Sequence, residues 1–388
     1  MTQFDDIRPY RDNEVRPTID RLLKDDEFLK VVARFRFPKL PRWLLSVMTP
    51  LVKYYLAKQT ENISTVHDLQ LIIEGYVARM IKETTSELTI SGEEHLDKSK
   101  AHLFISNHRD IVADPALVNW TLHHQGLHTL HIAIGDNLLT KSYVSDLMRL
   151  NKSFIVNRSA TKPREKLKAA KHLSSYIHHS IVEEKANVWI AQREGRAKDG
   201  IDRTNSAVVG MLALSKPKSV ALADYIRELN IIPVSISYEN DPCDIAKANE
   251  LHAHRNDGKY EKEEHEDAAS IAKGITGFKG RVHIAFGEPL TGNYQNTDEI
   301  VAEIDQKIIA NYVLQPSNCI AYQELHGTLS DDVVTTHSHI PFHDGNFVDE
   351  MQKFHKHLGE CDERYRDILL SMYANPIVSQ QSLHALHK

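Results

Sequence analysis

Seven short apolar runs punctuate the chain, at 88–90, 101–106, 129–134, 153–157, 188–191, 231–237 and 282–286. Their length and β-branched content predict strands. Between several of them the apolar positions change to a helical period, as over 163–184 and 206–215. Strands alternating with helices predict the α/β class, a central mixed sheet flanked by helices. Ahead of this pattern lies the run 43–56, WLLSVMTPLVKYYL, preceded by Arg34, Arg36, Lys39 and Arg42 and followed by Lys58. Aromatic and aliphatic residues beside cations suit a helix lying in a lipid headgroup layer. A helix, or two short ones broken near Pro50, packed on the rest of the protein fits the same run equally well. Beyond Asn311 the strand signals fade, and 349–373 reads as a polar amphipathic helix with Met351, Phe354, Leu358 and Tyr365 turned inward. Helical additions are therefore expected at both ends.

At 388 residues the chain exceeds the usual size of one domain. Its 41% hydrophobic and 26% charged content is that of a globular protein and excludes a disordered or fibrous class. A net charge of -6 argues against a nucleic-acid partner, which would call for surplus cations. Cys243, Cys319 and Cys361 lie far apart, so neither a disulfide framework nor a zinc finger is expected, and a reducing cytoplasmic setting is. The first residues carry Asp5, Asp6, Asp12 and Glu14 and do not read as a secretory signal. No apolar stretch reaches the roughly 18 residues that cross hydrocarbon. The expected membrane contact is therefore peripheral, on the inner face of the cell membrane.

Candidate chemistry concentrates at 104–116, FISNHRDIVADPA, where an apolar strand ends in a polar cluster ahead of a proline. Catalytic groups favour the carboxyl end of such strands. His108 can take a proton from an attacking hydroxyl, with a nearby carboxylate fixing its tautomer and stabilising the imidazolium. Asp110 and Asp114 are both close enough in sequence to serve. Taken alone, the cluster fits helix capping and turn formation as well as catalysis. Its weight comes from segments further along the chain: Phe154-Ile155-Val156-Asn157-Arg158, then Arg193-Glu194-Gly195-Arg196, then Ile231-Ile232-Pro233-Val234, then Phe286-Gly287-Glu288-Pro289-Leu290.

In this order the segments resemble the motifs of the glycerol-phosphate and lysophosphatidate acyltransferase superfamily, over about 88–290. Two departures stand out. The family pattern has four residues between its His and Asp, whereas Arg109 to Ala113 separate His108 from Asp114. The third motif lacks the Phe-Pro lead-in and the residue usually found between Gly and Arg. The ending Ala113-Asp114-Pro115-Ala116 resembles the plant-plastid glycerol-phosphate acyltransferases and favours Asp114 as the orienting acid, while Asp110 is the alternative.

The resemblance implies an enzyme of phospholipid biosynthesis that moves a fatty acyl group from acyl-CoA or acyl carrier protein to a hydroxyl of a glycerol-phosphate or lysophospholipid acceptor. It implies no metal and no cofactor beyond the thioester co-substrate. His108 would be the base, and Arg158, Arg193 and Arg196 would pair with the acceptor phosphate. Glu194 would organise the flanking arginines, and Gly195 would let the backbone approach closely. The expected organisation is a helical region over 1–86 with the membrane-surface contact, an acyltransferase domain over 87–312, and a helical region over 313–388.

A non-catalytic lipid-binding or scaffold protein on the same fold is the rival reading, supported by the altered motif spacings. His108-Arg109-Asp110 also looks like a kinase catalytic loop, but Pro115 stands where that loop has its metal-binding Asn, and the chain has no glycine-rich nucleotide loop or Asp-Phe-Gly. His337, His339 and His343 with Asp344 form a weaker candidate metal site, without the partners of a known zinc motif. The stretch 152–171 is locally basic and fits the phosphates of coenzyme A, an acidic carrier protein, anionic lipid or plain solvent alike.

Overall fold

The computed structural model describes residues 3–37, 40–260, 266–328 and 347–386. Helices α1 (Asp12–Leu22), α2 (Asp26–Arg36), α3 (Arg42–Gln59) and α4 (Val66–Thr84) precede β1 (Thr85–Ser91) and β2 (Leu103–Ser106). Then come α5 (Ala113–His124), β3 (His131–Gly135), α6 (Ser142–Leu150), β4 (Ser153–Val156), α7 (Pro163–Val182) and β5 (Val188–Ala191). They are followed by α8 (Ser206–Leu212), α9 (Leu222–Glu228), β6 (Ile231–Tyr238), α10 (Asp244–Asp257), α11 (Glu266–Thr276) and β7 (Gly280–Phe286). Helices α12 (Thr297–Ala310), α13 (Pro316–His326), Phe347–Glu360 and Arg366–Leu386 close the sequence of elements. Each of the expected apolar runs is a strand, and the class is α/β with helical segments before β1 and after β7.

Packing divides the chain into two compact units, Met1–Tyr76 with His131–Ala170, and Val77–Leu130 with Lys171–Lys388. In the first, Val15, Ile19 and Leu22 of α1 bury with Ile63 and Leu150, and β3 pairs with β4 in parallel. Asp146 ties this unit together by accepting from Tyr10 Oη at 2.7 Å and from Arg21 Nε and Nη2 at 2.7 and 2.8 Å. Helix α3 runs through Pro50 as one helix and buries Leu45 and Val52 with Ala33 of α2. Val47, Leu51, Tyr54 and Tyr55 of α3 and Val31 and Phe35 of α2 remain exposed. Among the described residues no helix is long and apolar enough to cross a membrane.

In the second unit the strand order is β1-β7-β6-β2-β5, parallel throughout except for β6 against β7. Strands β2 and β6 are buried along their whole length, as interior strands of a sheet covered by helices are. Pro233 sits inside β6 without spoiling it. Its carbonyl accepts from Gly287 N at 2.8 Å, so its missing donor falls on the side of β7, where that ladder ends at Phe286.

The single helix expected over 349–373 is divided. Asp362 accepts from Arg364 N at 3.0 Å and starts a new helical turn, so the chain breaks after Glu360 and resumes at Arg366. Phe354 and Leu358 are buried, with Met351 and Tyr365 partly so, against Leu369, Tyr373 and Ala248.

Candidate active site

Strand β2 pairs in register with β5 on one side and β6 on the other, with Ser106 opposite Ala191 and Val234. Because all three are parallel, the chain leaves β2 and β5 at the same edge of the sheet. The two departing loops are stitched together: Gln192 N donates to Ser106 O at 2.8 Å and Ala197 N to His108 O at 2.7 Å. His108 and the segment 193–196 therefore emerge side by side. Asn107 extends the ladder on the other flank, its side chain pairing with both the N–H and the C=O of Ile236 at 2.8 and 3.0 Å.

Helix α5 begins soon after this turn and carries Asp114 in its first turn. Asp114 Oδ2 lies 2.8 Å from His108 Nδ1 and also accepts from the backbone N–H groups of Arg109 and Asp110 at 2.6 and 2.9 Å. Asp114 Oδ1 accepts from Tyr238 Oη at 2.6 Å. Burial acts to raise the Asp114 carboxyl, yet the bonds from His108, Tyr238 and the backbone outweigh it and hold the group below its ordinary value. Asp110 points elsewhere, with Oδ1 accepting from Val112 N and Ala113 N at 2.9 and 2.8 Å. Burial and the nearby Asp114 charge raise its carboxyl.

The imidazole of His108 packs edge-on against Trp189 of β5, with ring centroids 5.6 Å apart. Its side chain keeps 12% exposure, and among the described residues Nε2 has no hydrogen-bond partner. A base with Nδ1 held and Nε2 open is the arrangement that takes a proton from a hydroxyl. Arg109, next in sequence, turns away into the interior, where its Nη2 meets Asp202 at 2.6 Å and its guanidinium lies over Tyr312. Burial disfavours that cation, but Asp202 and the surrounding acids keep it charged.

Arg193, Glu194, Gly195 and Arg196 form the loop after β5. Gly195 has φ +72°, a backbone conformation other residues rarely adopt, so glycine is needed for the turn itself. Glu194 is exposed, and Arg193 and Arg196 are half-buried. Arg196 Nη2 reaches Ser270 Oγ only weakly, at 3.4 Å, and its Nη1 is buried with no partner among the described residues. Arg158 belongs to the first unit, after β4. Its backbone N–H donates to Asp136 at 3.0 Å, and its side chain crosses Gly135, where a Cβ would come 2.9 Å from Nε. Among the described residues no group of three or more His, Cys, Asp or Glu side chains is gathered as a metal site. His337, His339, His343 and Asp344 lie outside the described residues.

Sequence reading overlooked several members of this site. Tyr238, Asn107, Asp202 and Lys247, which donates to Arg109 O at 2.7 Å, all brace the turn around His108. Asn107 and Tyr238 carried a signal, polar groups at the ends of apolar strands; Asp202 and Lys247 carried none.

Residues 87–237 match the family model described as Acyltransferase. The structure is similar to that of the 1-acyl-sn-glycerophosphate (LPA) acyltransferase PlsC from Thermotoga maritima, with 12% identity, a TM-score of 0.38 and coverage of 73% of this chain and 95% of that one. No curated protein matches. The matched segment, which holds the His108–Asp114 pair, is an acyltransferase domain.

Proposed function

We propose that this protein transfers a fatty acyl group from an acyl thioester, acyl-CoA or acyl carrier protein, to a hydroxyl of a glycerol-phosphate or lysophospholipid acceptor in phospholipid biosynthesis. The observation that carries the reading is the 2.8 Å contact between His108 Nδ1 and a buried Asp114, with Nε2 open. The acceptor hydroxyl gives its proton to Nε2 while its oxygen attacks the thioester carbonyl. The tetrahedral intermediate then expels the thiolate, which takes the proton back from the imidazolium. Asp114 stabilises that imidazolium, so no covalent acyl-enzyme is needed.

Arg193 and Arg196 leave the same sheet edge as His108 and suit the acceptor phosphate, with Glu194 setting their spacing. The exposed apolar side chains of α2 and α3, beside Arg34, Arg36, Lys53 and Lys58, support docking on the inner face of the cell membrane. The test is a mass-spectrometric assay of purified protein with both thioester donors and a panel of acceptors. His108→Ala should lower turnover by about 10²–10⁴ with binding retained. Equal turnover in that variant defeats the mechanism, and lipid binding without turnover by the wild type would favour the scaffold reading.

A further inference from the structure

We infer that Tyr238 is a positioning residue of the His108–Asp114 pair, its phenol fixing the carboxylate that in turn fixes the imidazole. The inference rests on the acyl-transfer reading. Asp114 Oδ2 receives His108 Nδ1 and two backbone N–H groups, whereas Oδ1 receives Tyr238 Oη alone among the described residues, at 2.6 Å. A carboxylate can turn about its Cβ–Cγ bond. A donor on each oxygen opposes that turn and keeps one lone pair on the imidazole.

The geometry follows from the sheet. Pairing of β2 with β6 stops at Ser106 and Val234, but β6 continues to Tyr238. Asn107 clamps the overrunning strand at Ile236, and β7 pairs with it on the other side, Val282 opposite Tyr238. The ring of Tyr238 is thus carried by a strand held from both flanks. Past its end, Lys247 donates to Arg109 O at 2.7 Å and pairs with Asp241, bracing the same turn. Tyr238 lies outside the motifs that the sequence displays, at the far end of the strand that opens with Ile231-Ile232-Pro233-Val234.

The assay is steady-state kinetics of the full chain, with His108→Ala as the control for the base. Tyr238→Phe should lower kcat about tenfold or more while leaving KM for both substrates within about twofold, the cost of one lost bond to a buried charged group. The charged groups around the pair are Arg109 and Asp110 on the turn, Asp202 after β5, Asp241 and Lys247 after β6, and Lys279 ahead of β7. None of them changes in the variant. Losing the phenol leaves more charge on Asp114 to favour the imidazolium, so the acid limb of kcat/KM should move to higher pH.

In the Asp114→Ala background the same substitution should cost nothing further, since its effect passes through that carboxylate. An additive loss, or an unmoved acid limb, overturns the inference. Should the phenylalanine variant not fold, 3-fluorotyrosine at 238 supplies a stronger donor of nearly the same shape, and the limb should then move to lower pH. No movement with fluorotyrosine also overturns it. Unimpaired turnover in His108→Ala would instead show that the acyl-transfer reading itself has failed.

Discussion

Two aspartates four residues apart in one turn do different work because their carboxylates meet different donors. Asp110 accepts the N–H groups of Val112 and Ala113 at the start of α5, while Gly274 of α11 lies so close that a Cβ there would come 2.1 Å from Asp110 Oδ2. Asp114, inside the helix, turns to His108. Asp110→Ala should therefore cost about 1 kcal/mol, as loss of a capping side chain does. Asp110→Asn keeps an acceptor oxygen and should not. The raised Asp110 carboxyl sets the sign of its pH dependence. The folded state holds that proton more tightly than the unfolded state, so stability falls as pH rises through the folded value. At neutral pH the asparagine variant should thus be at least as stable as the wild type. Urea midpoints at pH 5 and 8 check this, and equal losses for alanine and asparagine would refute the capping role.

At the scale of elements, α2 and α3 bury one face against each other and leave another open. Ala33, Leu45 and Val52 are enclosed, while Phe35, Val47, Leu51 and Tyr54 are exposed at 64%, 65%, 56% and 67%. Single exposed apolar residues are ordinary, but a cluster on two paired helices beside cations is suited to a lipid interface. If that surface enters the headgroup layer, Leu51→Glu removes a buried leucine there, about 1.5–3 kcal/mol. Sedimentation with anionic vesicles should then weaken about tenfold or more, with the urea midpoint unchanged. Unaltered sedimentation would count against docking through α3.

The whole second unit depends on its last helices. Asn375 Nδ2 donates to Asp199 O and Asn318 Nδ2 to Tyr373 O, and Tyr373 Oη joins Asp241 N to Asp244. Gly200, at φ +74°, passes so close that a Cβ would stand 2.0 Å from Met372 O. The loops fixed in this way are the ones that hold Arg109, through Gly200 O, Asp202 and Lys247. A chain ended after Tyr312 would expose Ala248 and lose Ile320, Leu369, Ala374 and Ile377 from the core. At about 1.5–3 kcal/mol for each large apolar side chain, that loss is comparable to the entire margin of about 5–15 kcal/mol. The truncated chain should show no cooperative urea transition and no turnover. A normal transition would mean that residues 1–312 fold without the helices that follow them.

The strands and the α/β class could be read from the sequence because they rest on local period, and His108 with Asp110 and Asp114 stood out as a polar cluster at a strand end, whereas Arg158 and Glu194-Gly195-Arg196 drew attention only through the resemblance of their segments to family motifs. The break at Asp362 was legible only weakly, since the apolar stripe continues past it and only a capping side chain interrupts it. What tertiary structure alone decided was the partnership of groups distant in sequence. Periodicity does not say that β2 lies between β5 and β6, so it cannot bring Ala197 to His108, Tyr238 to Asp114 or Lys247 to Arg109. The choice between Asp110 and Asp114 was of this kind too. Spacing allowed both to reach the imidazole, and the start of α5, by engaging one carboxylate as a cap, left the other for the ring.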